Sequence, residues 1–192
     1  MNEKSAKRKR AVFLDRDGTV NVEKEYLHRT EEFEFIGGAP DAIRLLKNAG
    51  FLVIIVTNQS GIGRGFYDEA AVHRLHRYMD EELARCGAAV DAYYLCPHHP
   101  LHGIGEYRRK CGCRKPLPGM LLEAADDFSI DLSASYIIGD KMADVEAGIA
   151  AGCRPLLVRT GFGEKESVSL PDGVCSYADI MAAVRAIIFA DA

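Results

Sequence analysis

The stretch FLVIIVTN, residues 51–58, runs through six apolar residues without a break before reaching a threonine and an asparagine. A half-exposed strand alternates apolar and polar side chains. A short unbroken run therefore reads as a strand buried on both faces, as in a parallel sheet covered by helices. AVFLD (11–15), VDAYYLC (90–96), SYIIGD (135–140) and PLLVRTG (155–161) repeat the pattern. Helical periodicities separate them. PDAIRLLKNAG (40–50) has Gly50 as its stop, and the segment 68–87 has Asp68 as a cap and Gly87 as its end. PGMLLEAADDF (118–128), MADVEAGIAAG (142–152) and a last segment over roughly 177–190 complete the set. Strands alternating with helices need crossover connections, so the expected fold class is α/β, a Rossmann-like parallel sheet with helices on both faces.

A chain of 192 residues has room for one domain with a sizeable core. The expected organisation is a basic N-terminal tail (1–10) and a single domain (11–192). Only residues 20–38 and a Cys/His-rich loop within 96–115 are left over, so no large cap domain is expected. A net charge of -4 gives no global attraction to nucleic acid or an anionic membrane, and neither is expected as a partner. No apolar run approaches the ~20 residues of a membrane span. The basic MNEKSAKRKR is followed by too short an apolar run for a secretory signal, so a cytoplasmic location is expected. No long amphipathic stripe is left without a place in the core, which points to a monomer. Of six cysteines, three crowd into residues 96–113, a pattern that in a reducing compartment points to metal rather than disulfides. Cys86, Cys153 and Cys175 stand alone among apolar neighbours and read as core or near-core residues.

Open α/β sheets bind ligands beyond the carboxyl ends of their strands. After AVFL come Asp15, Arg16, Asp17, Gly18 and Thr19; after FLVIIV come Thr57, Asn58, Gln59 and Ser60; after SYII come Gly139 and Asp140, with Asp144 one helical turn on. Each alone is an ordinary cap or turn, but together they gather at one edge. Carboxylates brought together call for a hard divalent cation, and Mg²⁺ takes a few carboxylates plus water and phosphate oxygens. Asp15 is placed to attack phosphorus and Asp17 to act as general acid and base. Thr57, the Asn58 N–H and the Lys115 ammonium would hold the phosphoryl group.

The segments AVFLDRDGTV, Thr57, Lys115 and GDKMAD, in this order and spacing, resemble the four motifs of the haloacid dehalogenase (HAD) superfamily. The resemblance implies a HAD fold and a phosphohydrolase with Asp15 as nucleophile and Asp17 as acid/base. It also implies Mg²⁺ on Asp15, Asp140 and the backbone carbonyl of Asp17. Cys96-x-His98 and Cys111-x-Cys113 make two close pairs, and four N/S ligands describe a closed, structural Zn²⁺ site. His98, His99 and His102 are all within reach; similar zinc-loop phosphatases use Cys-Pro-His here, which selects His98. A fixed loop would present Arg114 and Lys115 with little mobility.

Within the superfamily, FLDRDGTVN, FEFIGGAPDAI, VTNQSGIGRG, CPHHP, CGCRKPLPGML and YIIGDKMADVEAG resemble the zinc-loop phosphatases of small phosphorylated sugars. The implied substrate is heptose 1,7-bisphosphate, with histidinol phosphate as the alternative. The implied substrate contacts are Glu23, Lys24, Glu25, Tyr26, Asn58, Gln59, Ser60, Arg114 and Lys141. A nucleic-acid-end phosphatase would need a basic groove, and a signalling receiver would need neither Asp17 nor a metal clip.

Overall fold

A computed structural model describes residues 8–190. Most of the expected basic segment, residues 1–7, lies outside the described residues, as do 191–192. Paired backbone begins at Lys9, which bridges to Ile130, and Arg10 lies over the Phe51 ring.

Six strands form one sheet in the order β3-β2-β1-β4-β5-β6, every pairing parallel. They are β1 (Ala11–Leu14), β2 (Leu52–Asn58), β3 (Ala92–Cys96), β4 (Tyr136–Gly139), β5 (Arg154–Val158) and β6 (Cys175–Tyr177). Successive side chains point to opposite faces, so each apolar run supplies two cores. Val12, Leu14, Val53, Ile55 and Ile138 pack with helices α1 (Ala39–Asn48), α3 (Glu69–Arg85) and α7 (Ile180–Ala190). Ala11, Phe13, Ile54, Val56 and Ile137 pack on the other face with α4 (Gly119–Phe128) and α5 (Met142–Ala151). In β1, β2 and β4 the unbroken runs are thus the imprint of two-sided burial, whereas β3 and β5, toward the sheet edges, are only partly buried.

Two short helices, α2 (Ser60–Gly63) and α6 (Gly163–Glu166), and strand β6 go beyond the sequence expectation. Strand β6 is three residues at the sheet edge with an exposed cysteine, too short to carry a pattern. Asp68 caps α3 by accepting from the Ala71 N–H at 2.7 Å, as its position predicts. Cys153 is buried, but Cys86 and Cys175 are exposed, contrary to the core reading. Cys86 is the C-cap of α3, beyond its last helical residue Arg85. No described helix is long and apolar enough to cross a membrane.

Candidate active site

The strand order turns about β1, with β2 on one side and β4 on the other. The crevice beyond these carboxyl ends is the switch point at which doubly wound sheets hold ligands. Asp15 leaves β1, Thr57 and Asn58 end β2, and Asp140 leaves β4. A cavity of about 420 Å³ lies here, lined by Asp15, Asp17, Glu23, Glu25, Tyr26, Thr57, Asn58, Gln59, Ser60, Arg114, Lys115 and Lys141, together with Tyr67, Ala143, Asp144 and Phe162. Lys24 is the one expected catalytic or substrate-contacting residue not in this lining. Its ammonium turns outward to the Glu34 carboxylate and the Glu32 carbonyl.

One oxygen each of Asp15, Asp140 and Asp144 falls within 4.8 Å of the others. Asp140 is fully buried; its Oδ2 accepts the Phe162 N–H at 2.8 Å, while Oδ1 has no hydrogen-bond partner among the described residues. Burial first, then the Asp15 charge, pushes the Asp140 carboxyl up to about 8. Burial, with Asp15 adding to it and Lys115 opposing, pushes Asp144 up to about 6. A buried carboxylate oxygen without a donor, in a cluster that resists further negative charge, fits a divalent cation. Gly18 and Gly161 have positive φ, and a Cβ on either would fall 2.2 Å from Asp140 Oδ2. Asp140 therefore sits in a cradle of bare backbone.

Lys115 is buried, with Nζ 2.7 Å from Asp15 Oδ1, 2.5 Å from Asp144 Oδ1 and 2.7 Å from the Val56 carbonyl. Burial disfavours its charge, but Asp144 and Asp15 more than compensate and hold its pKa above the ordinary lysine value. Its backbone is locked as well. The Asn58 amide donates to the Lys115 carbonyl at 3.0 Å, and Asn58 Oδ1 accepts the Lys115 N–H at 3.1 Å. Expected as a substrate contact, Asn58 thus uses its side chain to bolt Lys115 to the end of β2.

Asp17 sends its carboxylate away from the acidic cluster, and was expected at the metal only through its carbonyl. Arg16 Nη2 donates to both its oxygens at 2.9 Å, Asn21 to Oδ1 and Gln59 to Oδ2, each at 3.0 Å. Burial raises its pKa, but the Arg16 charge and these three donors outweigh burial and hold it below the usual carboxylate range. The opposite oddity belongs to Glu23 and Lys141, which pair at 3.1 Å across the cavity edge.

Arg16, fully buried, also meets His76 Nε2 at 3.4 Å, and His76 stacks on Tyr93 with ring centroids 4.3 Å apart. Burial, then Arg16 and His73, push the His76 pKa down to about 3. Below the ordinary value of 6.5, the unfolded chain takes up a proton that the folded protein refuses. This group's contribution is therefore intact above pH 6.5 and is lost toward about 3, by up to about 1.4 kcal/mol per pH unit. His76→Phe, which keeps the stacking, should flatten the decline of the thermal midpoint across that window relative to wild type. Parallel curves for the two proteins would contradict this account.

On the flank of the cavity, Cys96, His98, Cys111 and Cys113 also bring one ligand atom each within 4.8 Å. Cys113 Sγ lies 3.0 Å from Cys96 Sγ, 3.4 Å from Cys111 Sγ and 3.4 Å from His98 Nδ1. The structure brings in His98 and leaves out its neighbour: His99 Nδ1 accepts the Leu101 and His102 N–H groups instead. Three thiols and an imidazole converging within this distance fit a closed tetrahedral metal site. Arg114 Nη1 donates to the His98 carbonyl at 3.2 Å, which ties that cation to the same loop. Sequence reasoning did not include Tyr67 or Phe162, and included Asp144 only as a neighbour of Asp140. The spacing Asp140 to Asp144, one helical turn, was the available signal for the last.

Residues 112–184 match the family described as "HAD-hyrolase-like". The D-glycero-β-D-manno-heptose-1,7-bisphosphate 7-phosphatase of Yersinia pestis is 51% identical over 152 residues, 79% of this chain and 81% of that protein. The Escherichia coli K12 enzyme of the same name is also 51% identical over 152 residues, covering 79% and 80%. A crystal structure of D,D-heptose 1,7-bisphosphate phosphatase from B. bronchiseptica, complexed with magnesium and phosphate, superposes with a TM-score of 0.85 at 36% identity. It covers 95% of this chain and 99% of that one. The corresponding Burkholderia thailandensis structure gives a TM-score of 0.70 at 32% identity, covering 94% and 99%. Sequence and fold agree, and the chain belongs to the D-glycero-β-D-manno-heptose-1,7-bisphosphate 7-phosphatase family of HAD-like hydrolases.

Proposed function

We propose that the protein is a Mg²⁺-dependent phosphatase that removes the 7-phosphate of D-glycero-D-manno-heptose 1,7-bisphosphate through an aspartyl-phosphate on Asp15. The observation that carries this reading is the buried Asp15 carboxylate held 2.7 Å from Lys115 Nζ at the base of a polar cavity. An Asp15 oxygen forms a bond to phosphorus while the bond from phosphorus to the sugar oxygen breaks, and the leaving oxygen takes a proton from Asp17. Water then attacks phosphorus, the bond to Asp15 breaks, and Asp17 takes the proton of the water. Asp17 is held as an ionised carboxylate, the form that accepts a proton. To deliver one it must first be protonated and come away from Arg16. Thr57 and Lys115 bind the phosphoryl oxygens, and Arg114 and Lys141 meet the remainder of the substrate.

A divalent cation held by Asp15, Asp140 and the Asp17 carbonyl would neutralise charge on the phosphoryl oxygens. Asp144, in the same cluster, is engaged by Lys115 and by the Lys141 N–H, and so orients the cation-binding groups rather than joining them. Cys96, His98, Cys111 and Cys113 would hold a structural Zn²⁺. The reading includes a cytoplasmic, monomeric enzyme, consistent with thiols that must stay reduced to bind metal.

Histidinol phosphate, the alternative, is not favoured, because the relatives at 51% identity are heptose bisphosphate phosphatases. The test is phosphate release with Mg²⁺ from each substrate. We expect kcat/KM for the heptose to exceed that for histidinol phosphate by at least about 10²-fold, since remote contacts contribute to transition-state binding. A preference for histidinol phosphate would overturn the assignment and leave the catalytic groups as described.

A further inference from the structure

We propose that Tyr67 and Gln59 form a positioning relay that sets the Asp17 carboxylate in register with the phosphate-binding hydroxyl of Thr57. The inference rests on the acid/base role of Asp17 proposed above.

Gln59 is only 2% exposed. Its amide nitrogen donates to Thr57 Oγ1 at 2.8 Å and to Asp17 Oδ2 at 3.0 Å. Its amide oxygen accepts the Tyr67 hydroxyl at 2.8 Å. A primary amide has two N–H donors, and both are spent inside the site, so the side chain that was expected to touch substrate has no donor left for it. One planar group therefore fixes the distance between a phosphate ligand and the proton carrier.

Orientation is the weak point of any such amide, because turning it over exchanges oxygen for nitrogen. Turned over, Oε1 would face the Asp17 carboxylate, which has only lone pairs to offer while ionised. Tyr67 reinforces the orientation that the Asp17 carboxylate demands by donating to the amide oxygen. Burial first, with Asp17 adding to it, pushes the phenol up to about 12, so Tyr67 stays a donor at neutral pH. The ring itself has little freedom. It stacks on His28, with centroids 4.7 Å apart and planes 14° from parallel. A Cβ on Gly61 would fall 2.3 Å from the ring edge, so Tyr67 packs on bare backbone at the start of α2. Every link is present: a clamped phenol, an oriented amide, and two groups that act on opposite sides of the same bond cleavage.

The test separates proton delivery from phosphate binding by the leaving group. The sugar alkoxide of heptose 1,7-bisphosphate needs a proton as it departs, whereas the nitrophenolate of p-nitrophenyl phosphate does not. The ratio kcat/KM reports steps up to cleavage of that first bond. Tyr67→Phe is expected to lower kcat/KM at least about tenfold for the heptose ester and no more than about threefold for the aryl ester. Gln59→Met should show the same split, and the double variant should be no worse than Gln59→Met alone, because the two residues act in series. Equal losses on both esters, or additive losses in the double variant, would overturn the relay. Asp17→Asn identifies the level of any failure. If it shows the split while Tyr67→Phe does not, the relay alone is wrong; if Asp17→Asn shows none, the acid/base reading falls as well.

Discussion

Asp15→Asn is expected to reduce turnover by at least about 10⁴-fold, the scale on which loss of an enzymatic nucleophile acts. The fold should survive. Asp15 lies beyond β1 and takes no part in either hydrophobic core, and the Lys115 ammonium keeps Asp144 and the Val56 carbonyl as partners. Neutralising one of three crowded carboxylates should even leave the thermal midpoint in metal-free buffer equal to or above that of wild type, since Asp15 raises the pKa of both Asp140 and Asp144. Two further readings belong with this variant. Acid-quenched phosphoenzyme should disappear, and the rise in thermal midpoint on adding Mg²⁺ should shrink. Substantial phosphatase activity in a variant of wild-type stability would remove Asp15 from the role of nucleophile.

The second large effect is expected from Cys113→Ser. An alkanol oxygen is a poor substitute for a thiolate in a tetrahedral N/S site, so zinc content measured by elemental analysis should fall well below one per chain. Cys113 lies two residues before Lys115 and is only partly buried, packing at the margin of the core on the α4 and α5 face rather than within it. The protein should therefore remain folded by circular dichroism while kcat/KM drops by about 10²-fold, the cost of small misplacements near a reacting centre. The loss should be incomplete, because the reciprocal hydrogen bonds between Asn58 and Lys115 still hold the Lys115 backbone. Adding Asn58→Ala should deepen it. A zinc-free Cys113→Ser enzyme with full activity would show that the loop does not aim Lys115.

Local sequence pattern carries far in this chain because burial on both faces leaves a visible mark. Parallel strands such as 52–58 must be apolar over most of their length, and the loops after them must emerge at the same sheet edge. From those two facts come the expected sheet and the gathering of Asp15, Thr57 and Asp140 in a shared site beyond β1. The cysteine pairs were equally legible, since Cys-x-His and Cys-x-Cys can close on a metal with little help from the rest of the chain.

Packing between distant segments decided the remainder. Asn58 and Gln59 sit where substrate contacts were expected, yet Lys115, 57 residues away from Asn58, and Tyr67 claim their side chains. Lys24 has its neighbours in the cavity wall but is drawn off by Glu34. His98 and His99 are adjacent and alike in sequence. The loop backbone at 101 and 102 occupies His99, which leaves His98 for the cysteines. Periodicity settles which face and which edge a residue occupies, because these follow from backbone geometry alone. The partner a polar side chain takes at that edge depends on what chain closure delivers there, and no spacing within a single segment encodes that choice.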